Sequence, residues 1–334
     1  MNRDCPPTDP SATGTPFFAV RGLKKYFPVR KGVFSRTIGH VQAVDGVNFE
    51  VRRGQTLGLV GESGCGKTTA ARLILQLETP DTGEVILEGR NILGAKGPAL
   101  RAYRRDVQMI FQDPYSSLNP HKTAWQTLAE PLRVHGLCHR EEMPDRVAEV
   151  LESVSLSADF MDRYPHEFSG GQRQRLGIAR ALTVNPRVIV CDEPVSALDV
   201  SVRSQIINLL LELQQRRNLT YVFIAHDLAL VEHVSDVVAV MYLGRIVEMA
   251  PTESFYARRL HPYSEALLSA IPTTHPKAKK ERIVLQGDVP SPLNPPTGCR
   301  FRTRCPLVQD VCGEIEPVFR EAAPGHWVAC HFRG

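Results

Sequence analysis

The stretch that decides the fold reads Thr56-Leu57-Gly58-Leu59-Val60-Gly61-Glu62-Ser63-Gly64-Cys65-Gly66-Lys67-Thr68. Thr56 to Val60 is a short apolar run of the kind that forms a buried strand, and helical periodicity takes over from Lys67 to Leu77. Between them lies G-x-x-x-x-G-K-[ST], a spacing that cradles phosphate. Glycines at 61, 64 and 66 let successive backbone N–H groups turn inward on an anion, in conformations costly for residues with side chains. The helix that follows adds its positive N-terminal end. Lys67 supplies a point charge for β- and γ-phosphates, and the Thr68 hydroxyl can ligate Mg²⁺. The competing reading, a glycine-rich turn without chemistry, does not explain strand, loop and helix in register.

Working outward, Val107 to Phe111, Val188 to Cys191 and Tyr221 to Ala225 read as further buried strands. Helices are expected at Thr123 to His135, Pro144 to Val154, Gln172 to Thr183 and Ser204 to Arg217. Strand–helix alternation predicts an α/β fold with a mostly parallel sheet flanked by helices. The 334 residues are 43% hydrophobic and 23% charged, a globular composition. A net charge of +4 is too small to argue for nucleic acid. No apolar run reaches the roughly 18 residues of a membrane helix, the longest being Val237 to Leu243. The N-terminus lacks an apolar signal core, so a soluble, cytosolic protein is expected. Proline is uneven, with four in residues 1–16 and eleven in 251–334. The ends are therefore expected to be loop-rich. The division expected is a disordered tail at 1–16, a compact body at 17–255 and an extension at 256–334, with His275 to Arg282 as a solvated linker.

Val188-Ile-Val-Cys-Asp192-Glu193 is an apolar strand ending in two carboxylates. Side chains alternate along a strand, so the two acids point in different directions. Asp192 suits a Mg²⁺ shell, and Glu193 can polarise an attacking water. Ser169-Gly170-Gly171-Gln172 opens a helical run. Ser169 can serve as an N-cap, while the glycines leave bare donors for a second anion site. One nucleotide cannot easily use two such sites of one chain. The economical arrangement is two chains meeting head to tail, each closing over the other's γ-phosphate.

These motifs stand in one order: the cradle, Gln112 after a strand, Ser169 to Gln172, Asp192-Glu193, Ser196-Ala-Leu-Asp199, and His226 after Tyr221 to Ala225. In that order the chain resembles an ABC-type ATPase over roughly residues 17–250. The resemblance implies a P-loop NTPase core with an antiparallel β subdomain, and a helical subdomain at about 114–168 that docks on membrane subunits. It implies MgATP held by Gly61, Glu62, Ser63, Gly64, Cys65, Gly66, Lys67, Thr68 and Thr69. Mg²⁺ would be shared by Thr68, Gln112 and Asp192, and catalysis by Glu193, Gln112 and His226. Ser169, Gly170, Gly171, Gln172 and Asp199 would act across the dimer. An aromatic near the start should stack on adenine; spacing favours Phe27, with Tyr26 as alternate. Phe168 replaces the usual leucine and Cys65 a frequent serine; both changes are compatible with ATP hydrolysis.

Half of the eight cysteines fall in the tail, as Cys299-x5-Cys305-x6-Cys312-x17-Cys330. Four thiolates could bind zinc or an iron–sulfur cluster, and free thiols are the plain alternative. The tail carries His261-Pro-Tyr-Ser-Glu-Ala-Leu-Leu-Ser-Ala-Ile-Pro272, Gln286-Gly-Asp-Val-Pro-Ser-Pro292 and Gly298-Cys-Arg-Phe-Arg-Thr-Arg-Cys-Pro306. It resembles the C-terminal region of dipeptide/oligopeptide importer ATPases, whose relatives carry nickel or other small solutes. That resemblance implies a [4Fe–4S] cluster on the four cysteines, zinc being the runner-up. It further implies a second ATPase subunit, two membrane permeases and a solute-binding protein, at the cytoplasmic face of a bacterial inner membrane. A nucleic-acid-associated ABC ATPase would need a second cassette or long insertions, and a P-loop kinase leaves Ser169 to Gln172 unexplained.

Overall fold

Strands covered on both faces must be apolar throughout, and Thr56–Val60 is buried at every position, as is Val237–Tyr242. The computed structural model describes residues 16–32, 36–271 and 283–333. The expected disordered lead up to residue 15, Cys5 and the basic stretch His275 to Arg282 lie outside the described residues.

The chain begins with β1 (Phe18–Lys31), β2 (Arg36–Val51), β3 (Thr56–Val60), α1 (Lys67–Ile74), β4 (Thr82–Leu87) and β5 (Arg90–Asn91). There follow α2 (Gly97–Asp106), β6 (Val107–Ile110), α3 (Pro114–Ser117), α4 (Ala124–His135), α5 (Met143–Ser153), α6 (Gly170–Leu182), β7 (Val188–Asp192), α7 (Val200–Arg217) and β8 (Thr220–Ala225). The last part holds α8 (Leu228–Val234), β9 (Val237–Tyr242), β10 (Arg245–Pro251), α9 (Thr252–Ala257), α10 (Pro262–Ser269), α11 (Val311–Glu314), β11 (Arg320–Ala323) and β12 (His326–Val328).

These elements fall into two units. The first comprises Met1–Arg52, Thr56–Leu93 and Ile224–Gly334. In it β3 lies parallel to β9, Leu57 opposite Val237. Antiparallel β10, β12 and β11 continue outward from β9. A separate antiparallel sheet runs β2-β1-β4-β5. The second unit comprises Arg53–Gln55 and Gly94–Phe223. Its strands β6 and β7 are parallel, Val107 opposite Val188 and Ile110 opposite Cys191. Helices α4, α5 and α6 bury Leu128, Val147, Leu151, Leu176 and Ile178. The fold is mixed α/β, with parallel and antiparallel sheets.

Helix ends moved from their sequence positions for local reasons. α1 stops at Ile74 because Gln76 takes up a left-handed backbone (φ 50°). α6 starts at Gly170, where Ser169 and Gln172 form a reciprocal capping box. α7 starts at Val200, behind an N-cap at Asp199, four residues before the expected Ser204. The extension is loop-rich, as its prolines suggest, but not detached. Its β12 pairs with β10, Glu248 opposite Val328, so the tail is part of a sheet. Among the described residues no helix is long and apolar enough to cross a membrane.

Candidate functional site

The cradle spans the turn from β3 into α1. Gly61 (φ 155°) and Gly66 (φ 110°) hold backbone that side chains rarely adopt. A Cβ on either would run into the carbonyl oxygens of Met241 or Ala43. Gly66 sits at the α1 N-cap position without a side-chain cap. Lys67 is buried, and its Nζ donates to the carbonyls of Gly61 (2.7 Å) and Glu62 (3.0 Å). Burial raises the Cys65 thiol's pKa against the opposing charge of Lys67, so Cys65 is a neutral, unreactive thiol. Thr68 and Thr69 follow in the first turn of α1.

In the second unit β7 ends at buried Asp192. Glu193 comes next in a left-handed backbone (φ 46°), an uncommon conformation for a residue with a side chain. Gln112 Nε2 donates to Glu193 Oε2 at 2.9 Å, so β6 and β7 bring these two together across 81 residues. Such strain concentrates at functional positions. Ser169 Oγ accepts from Gln172 N–H at 3.3 Å, and Gln172 Oε1 accepts from Ser169 N–H at 3.0 Å. The N-cap reading of Ser169 is therefore realised. Ser169 and Gly170 are also exposed. Phe168 is buried and meets Phe160 edge-on at 5.8 Å between centroids. Asp199 is exposed at the start of α7.

His226 belongs to the first unit, is exposed and directly follows β8. Asp227 after it caps α8 by accepting from the Ala229 and Leu230 N–H groups. Of the two aromatics, Tyr26 is committed elsewhere: its hydroxyl donates to Asp45 Oδ1 at 2.5 Å. Burial and that carboxylate push the phenol up to about 12. Phe27 is half-buried, with Lys25 Nζ 5.3 Å from its ring centroid.

Sequence reasoning missed the tail's attachment. Glu248 on β10 is fully buried and accepts from the N–H groups of Leu260 (2.6 Å) and His261 (2.9 Å). His326 Nε2 on β12 lies 2.7 Å from the same carboxylate. Phe301 is buried against Tyr242, Tyr263 and His261. Burial drives His261 down to about 4, so it is a neutral ring whose Nδ1 accepts from Tyr263 N–H. Arg300 joins Arg245, Lys24 and Tyr26 on Asp45. Although burial acts to raise it, the bonds from Tyr26 and Arg245 hold the Asp45 carboxyl at about 2. Arg304 makes a two-pronged bond to the Glu62 carboxylate in the cradle, at 2.7 and 3.0 Å. Glu62 N–H donates to Tyr263 Oη at 2.8 Å. The only sequence signal for these pairs was the density of arginines around Cys299 and Cys305.

The four cysteines expected to hold a metal lie in the extension. Cys299, Cys305, Cys312 and Cys330 are free cysteines. Among the described residues no three His, Cys, Asp or Glu side chains are grouped to hold a metal ion. The donor set is nonetheless local. Burial raises Cys299 to about 11, and the charges of Cys312, Cys305 and Cys330 add to that rise. Backbone N–H groups already face two sulfurs, Leu307 toward Cys305 at 3.4 Å and Phe301 toward Cys299. The thiol chemistry fits a metal.

The first unit thus holds a strand–cradle–helix with a buried lysine, and the second a strand-end glutamate that accepts from a glutamine. Two family models match the chain: ABC transporter over residues 44–196, and oligopeptide/dipeptide transporter, C-terminal region, over 247–312. The oligopeptide transport ATP-binding protein AppF of Bacillus subtilis (strain 168) is 53% identical over 315 residues, 93% of this chain and 96% of that protein. The dipeptide transport ATP-binding protein DppF of Haemophilus influenzae is 48% identical, over 95% of this chain and 96% of that protein. Among solved structures, the dimeric post-hydrolysis state of the ATP-binding cassette MJ0796 bound to ADP and Pi matches with a TM-score of 0.62. It is 28% identical and covers 70% of this chain and 98% of that one. The chain belongs to the ABC transporter family, among its oligopeptide and dipeptide transport ATP-binding subunits. Its activity is ATP hydrolysis coupled to transport.

Proposed function

We propose that this subunit binds MgATP in the Gly61–Thr69 cradle and hydrolyses it, as one half of a dimer, to drive import of di- and oligopeptides. The observation that carries the reading is buried Lys67, whose ammonium rests on its own loop's carbonyls beneath glycines that admit no side chain. Arriving phosphates offer that ammonium stronger, charged acceptors, so it exchanges the loop for the nucleotide. Mg²⁺, held by Thr68, Asp192 and Gln112 with the phosphates, would neutralise charge developing on the transferred group. Glu193 is the base for the attacking water, oriented by Gln112. His226 contacts the γ-phosphate, and Phe27 stacks on adenine. Phe27 is preferred over Tyr26 because only Tyr26 is tied to Asp45.

The exposed Ser169–Gln172 helix start and Asp199 serve the partner's nucleotide. That partner is a second ATPase subunit, identical or related. Residues 114–168 dock on two permease subunits at the cytoplasmic face of the membrane, and a solute-binding protein delivers cargo. Peptide cargo is favoured by the names of the relatives, AppF and DppF. Residues 17–255 form the ATPase domain and 256–334 its extension. The extension's four cysteines are the proposed ligands of a [4Fe–4S] cluster, or of zinc, supported by their shared neighbourhood and the N–H groups facing two of the sulfurs.

Reconstitution of the subunit with a pair of permease subunits, in liposomes, tests the reading. ATP-dependent uptake of labelled peptide that stops with Glu193→Gln is expected; uptake of nickel alone would move the cargo. Anaerobic purification tests the tail: brown colour lost in Cys305→Ser supports the cluster, one bound zinc supports the alternative, and neither removes both.

A further inference from the structure

An acid inside a phosphate cradle is a physical problem. The Glu62 carboxylate stands in the loop that must receive a polyphosphate, and an uncompensated negative charge there repels the ligand. The structure shows how the charge is met. Arg304 reaches from the extension, 242 residues away, and grips both carboxylate oxygens with its planar fork. Its guanidinium is only 8% exposed, and the Glu62 carboxylate 28%. On the other side of the residue, Tyr263 Oη accepts the Glu62 N–H. Tyr263 is itself fully buried against Tyr242 and Phe301. Backbone and side chain of one cradle residue are thus both held by the C-terminal part of the chain.

We propose that Arg304 is a positioning residue of the nucleotide site: it neutralises Glu62 and fixes the cradle for phosphate, making the extension a working part of ATP binding. The proposal rests on the cradle being the nucleotide site. It adds that the affinity of this site depends on a side chain next to Cys305, outside the nucleotide-binding motifs. A purely structural ion pair predicts lost stability when either partner is removed. Charge compensation predicts something different, because deleting the acid should relieve the need for the arginine.

The test titrates MgADP calorimetrically into the full-length chain. Arg304→Gln is expected to weaken binding about tenfold, the order of one uncompensated charge acting through a high effective dielectric. Between about 0.1 and 1 M salt that deficit should shrink, since screening falls within a few ångströms. The double variant Glu62→Gln/Arg304→Gln should recover most of the affinity that Arg304→Gln alone loses. Arg304→Lys, which keeps the charge, should lose less than Arg304→Gln and covers the case in which the latter fails to fold. Parent-like affinity in Arg304→Gln overturns the proposal. So does a double variant as weak as Arg304→Gln alone at every salt concentration, which would assign Arg304 to packing. Lys67→Ala separates the two levels: if it too binds normally, the cradle reading fails; if it loses binding while Arg304→Gln does not, only the role of Arg304 fails.

Discussion

The phosphate cradle and the C-terminal extension solve the same problem, holding charge in a fixed place, by opposite means. The cradle does it locally: within eight consecutive residues, glycine backbone, a helix start and one lysine suffice, and the carbonyls that Lys67 meets lie five and six residues away. The extension does it at long range. Its Arg300 and Arg304 meet Asp45 and Glu62 across 255 and 242 residues, and His326 meets Glu248 across 78. A local device survives as a motif because its chemistry needs contiguity. A long-range device leaves no motif, since any topology that brings the partners together will serve.

The contrast can be broken or sharpened by experiment. The largest expected effect is on the chemistry. Glu193→Gln should cut ATP turnover by roughly 10²–10⁴ while nucleotide still binds, and near-parent turnover would remove Glu193 as the base. Ser169→Arg, in the exposed helix start proposed to face the partner's nucleotide, should lower turnover by roughly 10². Mixing it with an equal amount of Glu193→Gln subunits should restore part of the activity through the one composite site that is intact; no recovery would argue against a head-to-tail dimer. In the extension, Phe301→Ala empties a fully buried aromatic cluster and should cost about 3–5 kcal/mol in urea unfolding. A loss below about 1 kcal/mol would mean that the tail folds apart from the body.

The smallest effect is that of pH on Asp45. Its folded carboxyl is held at about 2, below the ordinary 3.8, so its contribution is complete above about pH 4 and disappears as pH falls toward 2. Asp45→Asn should flatten that acid limb by about 1–2 kcal/mol. An unchanged limb would assign acid sensitivity to other carboxylates.

Reading the sequence served well where a pattern is enforced by neighbours. β3, β6, β7 and β8 fell within a residue of expectation because a strand buried on both faces must be continuously apolar. It served less well at α7, where Val200 and Val202 disguise a helix that begins at Val200. In the extension, the loops that the prolines suggest are there, but the pairing of short β12 with β10 was not legible. The pairing partner supplies half of a strand's reason to exist, and that partner is absent from the local window.

Sequence alone determined the phosphate cradle, the strand-end acids and the α/β alternation, because glycine conformations, helix starts and apolar periodicity act over a few residues. Only the tertiary structure decided that Gln112 reaches Glu193 and that Arg304 reaches Glu62. It also decided that the cysteines at 299, 305, 312 and 330 share one neighbourhood. Such placements depend on how distant segments cross in space, and no stretch of chain carries that information until the whole has folded.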